Sequence, residues 1–268
     1  MSAGVPGTIW LLGCGNMAGA MLRRWVDSGV VDPATVTVID PGAPQVPEGV
    51  RHLTALPDEP VAEAVMLGVK PQMLDDLAPT LAPRIAGVPL LLSILAGVET
   101  ASLASRFEAQ AIVRVMPNLP VARGHGAVGL CGIDPESATG QGVTALMAPL
   151  GLVEWVDEAL FDVVTALSGS GPGFVYRFID ALAAAGTALG LPAEQALRLA
   201  TATVEGASLM AAEADASPAE LADRVASKGG STREGLNVLD RDDALRTLLV
   251  ETLTAARDRN VELAAAAR

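Results

Sequence analysis

Seven short apolar runs of β type fall in roughly the first 160 residues and none follows: Thr8–Leu12, Val36–Asp40, Ala64–Val69, Leu90–Leu95, Ile112–Val115, Ala127–Leu130 and Val153–Val156. Helical stretches separate them near Met17–Ser28, Gln72–Leu81, Thr100–Phe107 and Pro135–Leu150. Strands that alternate with helices and are apolar throughout predict an α/β fold, a parallel sheet covered on both faces. Beyond Asp162 the chain turns to Ala, Leu and Gly at helical spacing. Helices are expected over Pro172–Leu189, Ala193–Ala212, Pro218–Ala226, Thr232–Leu239 and from Asp242 to the end, with Ala264–Ala267 a fraying tail. The 268 residues thus divide into an α/β domain, residues 1–160, and an all-helical domain, residues 161–268.

Half of the residues are apolar but only 3% are aromatic, so the core is aliphatic. A net charge of -13 argues against nucleic acid, which selects clustered Lys and Arg. Two cysteines and two distant histidines offer neither a disulfide framework nor a metal site. The early run Ile9–Leu12 is too short for a signal peptide, and no unbroken run of about 18 apolar residues marks a membrane span. The expected location is the cytoplasm. The second helix pair of the helical domain is more apolar than a lone half-domain can bury, which suggests a homodimer or a higher homo-oligomer.

Between the first strand and the first helix lies Gly13-Cys14-Gly15-Asn16-Met17-Ala18, the pattern G-x-G-x-x-A. The first glycine permits a tight turn, the second lets backbone approach a pyrophosphate, and Ala18 keeps helix close to strand. A Rossmann-type, doubly wound sheet binding a dinucleotide is the reading, with Gly13, Gly15, Asn16 and Met17 as cofactor-binding residues. Asp40 closes the second run about 20 residues on, where an acid binds the adenosine ribose 2′-hydroxyl and repels a 2′-phosphate; it is equally a turn acid before Pro41-Gly42. Further strand ends point to the same crevice: Val69-Lys70-Pro71, Ala96-Gly97 and Asn118. Lys70 is either a cation near the cofactor or a solvated lysine. Asn118 suits a carboxamide or ribose, and also suits a turn. Ser168-Gly169-Ser170-Gly171-Pro172 is either small-residue space beside a ligand ring or a domain hinge. His52 and His125 have no partner motif, and no Lys or His offers itself as a general base.

Ser227-Lys228-Gly229-Gly230-Ser231-Thr232 opens a late helix. Ser231 and Glu234 have capping-box spacing, and two glycines let an anion reach backbone N–H groups that lack helical partners. A small carboxylate fits there with Thr232 facing whatever it carries; an ordinary capped helix fits the hexapeptide too.

Together with Val69-Lys70-Pro71-Gln72, Arg114-Val115-Met116-Pro117-Asn118 and Leu167 through Pro172, these motifs resemble pyrroline-5-carboxylate reductases nearly end to end. The resemblance implies a Rossmann domain followed by a helical dimerisation domain that completes the active site of its partner. It implies reduction of the C=N bond of 1-pyrroline-5-carboxylate to L-proline with NAD(P)H, the last step of proline biosynthesis. An imine nitrogen carries its own proton, so the missing base is no obstacle. By the family pattern Thr232 meets that nitrogen as the catalytic residue, and Ser227, Gly229, Gly230, Ser231 and Thr232 hold the substrate.

The sequence departs from the family at four places. Lys228 replaces a proline, Leu119 replaces a threonine, and Ser208-Leu209-Met210 stands for Ala-Lys-Met. Asp40 occupies a position where many relatives carry a small polar residue, which predicts a preference for NADH. A reductase of another cyclic imine or keto acid, or a nucleotide-binding regulator without turnover, are the competing readings.

Overall fold

The structure is a computed structural model and describes residues 4–266. Its first compact unit runs up to Gly171 and takes in the residues from Ala256 onward; the second spans Pro172–Ala255.

In the first unit eight strands form one sheet in the order β3-β2-β1-β4-β5-β6-β7-β8. They are β1 Ile9–Leu12, β2 Val36–Ile39, β3 Arg51–Leu53, β4 Ala64–Leu67, β5 Leu90–Ser93, β6 Ile112–Pro117, β7 Gly126–Cys131 and β8 Gly151–Trp155. Seven answer the apolar runs. The eighth, β3, was not expected: Arg51-His52-Leu53 is too polar and short to signal a strand. It forms because β2 supplies a parallel edge in the register Thr37↔Arg51, extended by a hydrogen bond from the Asp40 amide to the Leu53 carbonyl.

The sheet is not wholly parallel as expected, since β6 and β7 pair antiparallel. Only a short turn, Leu119–Arg123 closed by Gly124 at φ +74, joins them, and a parallel crossover needs a dozen residues or more. Helices α1 Asn16–Asp27, α2 Leu74–Leu81, α3 Thr100–Arg106 and α4 Ala138–Met147 cover the faces. Side chains alternate along each strand, so Ile9 and Leu11 meet Met21, Leu22 and Trp25 of α1 and Leu146 of α4. Trp10 and Leu12 face the other way, toward Leu74 and Leu81 of α2 and Leu103 of α3. Each such burial stabilises by about 1.5–3 kcal/mol.

Compact packing continues in this unit as far as Gly171. The short helix α5 Phe161–Val164 and the π-type turn Thr165–Gly169 stay with it. Phe161 is buried against Met116 and Cys131, and Ala166 is fully buried.

The second unit holds most of α6 Gly171–Ala188, then α7 Ala193–Glu213, α8 Pro218–Arg224, α9 Ser231–Leu239 and the first part of α10 Ala244–Ala266. Small residues bring α6 and α7 together: Ala183, Ala196 and Ala200 are buried, and a Cβ on Gly186 would lie 3.4 Å from the Ala196 Cβ. Large apolar side chains here stay exposed, among them Tyr176, Phe178, Leu197, Leu199, Met210, Leu248 and Val250. The expected frayed tail is corrected at Ala264, which is buried; Ala267 lies outside the described residues. No helix of the described residues is long and apolar enough to cross a membrane.

Candidate active site

The first strand ends where a side chain has no room. Gly13 has φ +83, and a Cβ there would sit 2.9 Å from the Val69 amide nitrogen; a Cβ on Gly68 would lie 2.6 Å from the Gly13 carbonyl oxygen. The glycine loop and the end of β4 therefore meet backbone to backbone. Gly15 caps α1 without any side-chain bond and has open space around its Cα, so the first N–H groups of the helix remain available to an anion. Asn16 is exposed there, whereas the Met17 side chain packs on the core and leaves only its backbone at the loop.

Asp40 binds this loop to the end of β2. One carboxylate oxygen accepts from the Cys14 amide at 2.7 Å and the other from the Gly42 amide at 2.8 Å. Both oxygens keep lone pairs for a further donor. A cleft of about 680 Å³ opens beside them, lined by Gly13, Gly15, Asp40, Val69 and Lys70, and by Leu56, Met73, Leu77, Thr80 and Arg84. The last five were not singled out in the sequence. They come from the loop after β3 and from α2 with its flanking turns, and no local motif marks a wall that is apolar at Leu56, Met73 and Leu77 and polar at Thr80 and Arg84. A second cleft, about 800 Å³, is lined by Gly15, Asn16 and Arg23 with the segment Pro44–Glu48. Pro71 opens the short turn Pro71–Met73, which Lys70 caps.

Ala96, Gly97 and Asn118 lie outside the 680 Å³ cleft. Ala96 is exposed on the loop after β5; Gly97 is buried with φ +75. The Asn118 carboxamide, expected to face a cofactor, is engaged inside the protein. Its oxygen accepts from the Ala127 amide at 2.9 Å and its nitrogen donates to the Ser168 carbonyl at 3.1 Å. It braces the turn before β7 against the π-type turn.

A charged cluster lies behind these loops. Arg114, 3% exposed on β6, donates to Glu158 at 2.9 Å and stacks 4.3 Å from the Phe161 ring centre. Glu158 also accepts from the Thr100 amide at 2.8 Å and from the Thr100 hydroxyl. Burial raises the Glu158 pKa, but the Thr100 and Arg114 bonds together outweigh it and hold the carboxyl below its ordinary value. Burial is also the main reason the thiols stay protonated: Cys131 is pushed up to about 12, and Cys14 is raised by burial and then by Asp40. Among the described residues no His/Cys/Asp/Glu group is placed to hold a metal. The His52 ring bonds the Asp40 carbonyl, a structural role.

In the second unit, Gly229 takes φ +73 and Gly230 turns into the extended conformation that starts α9. Gly230, not Ser231, is the N-cap. The expected Ser231–Glu234 capping box is absent, because the turn at Gly229 brings Ser231 one position inside the helix; such a box forms instead at Ser217 and Glu220 of α8. With no side-chain cap, the first N–H groups of α9 are free of side-chain partners, as an anion site requires. The Gly230 amide donates to the Ser227 carbonyl at 2.9 Å, and a Cβ on Gly230 would fall 2.6 Å from the Ser227 hydroxyl. Ser227, Lys228, Ser231 and Thr232 are exposed around this start. Arg233, in the same turn, is tied to Asp223 of α8 at 2.5 Å.

Comparison with known proteins agrees with both units. Residues 158–263 match the family model for pyrroline-5-carboxylate reductase dimerisation, and residues 8–97 match a model described as NADP oxidoreductase, coenzyme F420-dependent. A pyrroline-5-carboxylate reductase of Glycine max is 36% identical over 265 residues, 96% of each chain, and one of Pseudomonas aeruginosa is also 36% identical with 96% of each chain covered. Among solved structures, a pyrroline-5-carboxylate reductase of Coxiella burnetii aligns with a TM-score of 0.87 at 31% identity, covering 96% of this chain and 98% of that one. A Plasmodium falciparum pyrroline carboxylate reductase with NADP bound shares the fold, with a TM-score of 0.83 at 24% identity over 97% of this chain and 100% of that one. Similarity that runs through the glycine loop, the sheet and the helical unit alike establishes that the chain belongs to the pyrroline-5-carboxylate reductase family.

Proposed function

We propose that the protein reduces the C=N bond of 1-pyrroline-5-carboxylate, giving L-proline and completing proline biosynthesis in the cytoplasm. The observation that carries this reading is the uncapped start of α9 beside Thr232, in a family member that also has a backbone-to-backbone dinucleotide loop. When bound, the nicotinamide cofactor supplies the hydride. The chain's own residues bind, orient and donate. The first N–H groups of α9, with Ser227 and Ser231, hold the substrate carboxylate through the space that Gly229 and Gly230 leave open. Thr232 hydrogen-bonds the ring nitrogen and fixes the imine carbon toward the hydride. The imine enters protonated, the carbon gains the hydride, and the nitrogen keeps its proton as an amine, so no general base is needed.

The residues fit a dinucleotide because Gly13 and Gly68 let the loop meet the end of β4 backbone to backbone, while Gly15 leaves open space before the uncapped start of α1. Gly13, Gly15 and the amides of Asn16 and Met17 hold the pyrophosphate. Lys70, with Val69 and Pro71, lines the ribose side, and Ala96 and Gly97 the nicotinamide side. Asn118 acts here by bracing rather than by contact. Asp40 accepts from the adenosine ribose and repels a 2′-phosphate, which favours NADH over NADPH. A higher kcat/KM with NADPH would contradict that role, and Asp40→Ser is expected to move the ratio toward NADPH by about tenfold.

The active form is a homodimer or a larger homo-oligomer, consistent with the dimerisation match and the apolar side chains left exposed on α6, α7 and α10. Cofactor oxidation followed in parallel with pyrroline-5-carboxylate, its six-membered homologue and a 2-keto acid tests the substrate. The five-membered imine is expected to be preferred, and equal turnover of the keto acid would refute the reading.

A further inference from the structure

The loop after β5 is held from behind by the far end of the chain. Gly97 has φ +75, and a Cβ on it would meet the Ala264 amide nitrogen at 3.1 Å and the Ala264 Cα at 3.4 Å. Ala264 is 5% exposed, although the residues on either side of it are exposed. Four residues earlier, on the same side of α10, Asn260 donates to the Asp162 carbonyl at 3.4 Å. These last turns of α10 belong to the sheet-bearing unit. The same loop is fixed at its other end by Glu158, which holds the Thr100 amide at the start of α3. Within the loop the Val98 amide bonds the Leu95 carbonyl at 3.4 Å and the Leu95 amide bonds the Ser93 hydroxyl at 3.3 Å.

We propose that Ala264 is a positioning residue for the cofactor: by packing its backbone against Gly97 it sets the height of the Leu95–Val98 loop, and so where Ala96 stands. The inference rests on the reading that this loop borders the nicotinamide. A glycine is required at 97 because the α10 backbone lies where a side chain would be, and a small residue is required at 264 because its Cβ is enclosed. Contact with the reacting atoms is not part of the role.

The test compares Ala264→Leu with Ala264→Gly and with Ala265→Leu, a bulky change at the exposed neighbour, all in the full-length protein. Amide hydrogen exchange over residues 94–99 is measured without cofactor, and the KM for cofactor, the KM for the imino acid and kcat are measured separately. Overpacking at 264 is expected to speed exchange of the Val98 amide and to raise the cofactor KM about fivefold or more, with the imino-acid KM and kcat within about twofold. Ala264→Gly and Ala265→Leu are expected to resemble the wild type. Unchanged exchange over 94–99 in Ala264→Leu would overturn the proposal, as would equal losses in both KM values and kcat. Faster exchange with an unaltered cofactor KM would retain the clamp and refute the cofactor reading of the loop, so the two failures are separable.

Discussion

At the scale of single residues, side chains that look reactive in the sequence are largely engaged in holding backbone. Asp40 bonds the Cys14 and Gly42 amides, Asn118 bonds Ala127 and Ser168, and Glu158 bonds Thr100 and Arg114. Glu158 gives the clearest consequence. Its folded pKa is lowered, so its contribution to stability is fully present above the ordinary glutamate range and is lost as pH falls through the folded value. Glu158→Gln leaves the buried Arg114 charge without its counterion. Because Glu158 is about a third exposed, screening reduces the cost to about 2 kcal/mol, or roughly 4–8 °C in Tm at neutral pH. Thermal unfolding of the two proteins should show that gap at about pH 7 and a narrower one at about pH 4. A gap that widens with acid would contradict the assignment. Thr232 stands apart from these residues, with no hydrogen bond among the described residues beyond those of its helix backbone, and is exposed where chemistry is proposed.

At the scale of elements, what the sequence made legible was what local backbone geometry demands. The glycine loop, seven strands and the order of helices follow from period and from glycine placement. β3 was hidden because a neighbouring edge, not its own composition, makes it a strand. The direction of β7 was hidden because an apolar run has no direction, although the short Asn118–His125 connection contains the clue. Ser231 looked like a cap because a serine three residues before a glutamate is a good box; the φ of Gly229 decided otherwise. Likewise the alanine tail reads as fraying until Gly97 is seen beneath it. The loop before α9 yields a test of its own. Gly230→Ala places a Cβ 2.6 Å from the Ser227 hydroxyl, which rotates away and so leaves the anion site, and 3.1 Å from the Ser227 carbonyl oxygen, which yields by a few tenths of an ångström. The imino-acid KM is expected to rise about tenfold with Tm changed by no more than about 2 °C; steady-state kinetics and calorimetry measure both.

At the scale of the whole molecule, the sheet-bearing unit is closed on both faces while the helical unit leaves large apolar groups exposed, its buried residues being mainly alanines. Sedimentation at micromolar concentration is expected to find a dimer or more; a single 27.3 kDa species would contradict that. Phe178→Asp, on an exposed apolar side chain of α6, should shift the population toward monomer and make Tm depend more steeply on protein concentration. The central claim is chemical: the sheet-bearing unit binds the hydride donor, and the start of α9 holds the imine. Its most direct test is kcat for Thr232→Ala with pyrroline-5-carboxylate at saturating cofactor. Loss of one hydrogen bond to a charged nitrogen predicts a fall of about tenfold to somewhat over a hundredfold, with cofactor affinity unchanged; wild-type turnover would contradict the account.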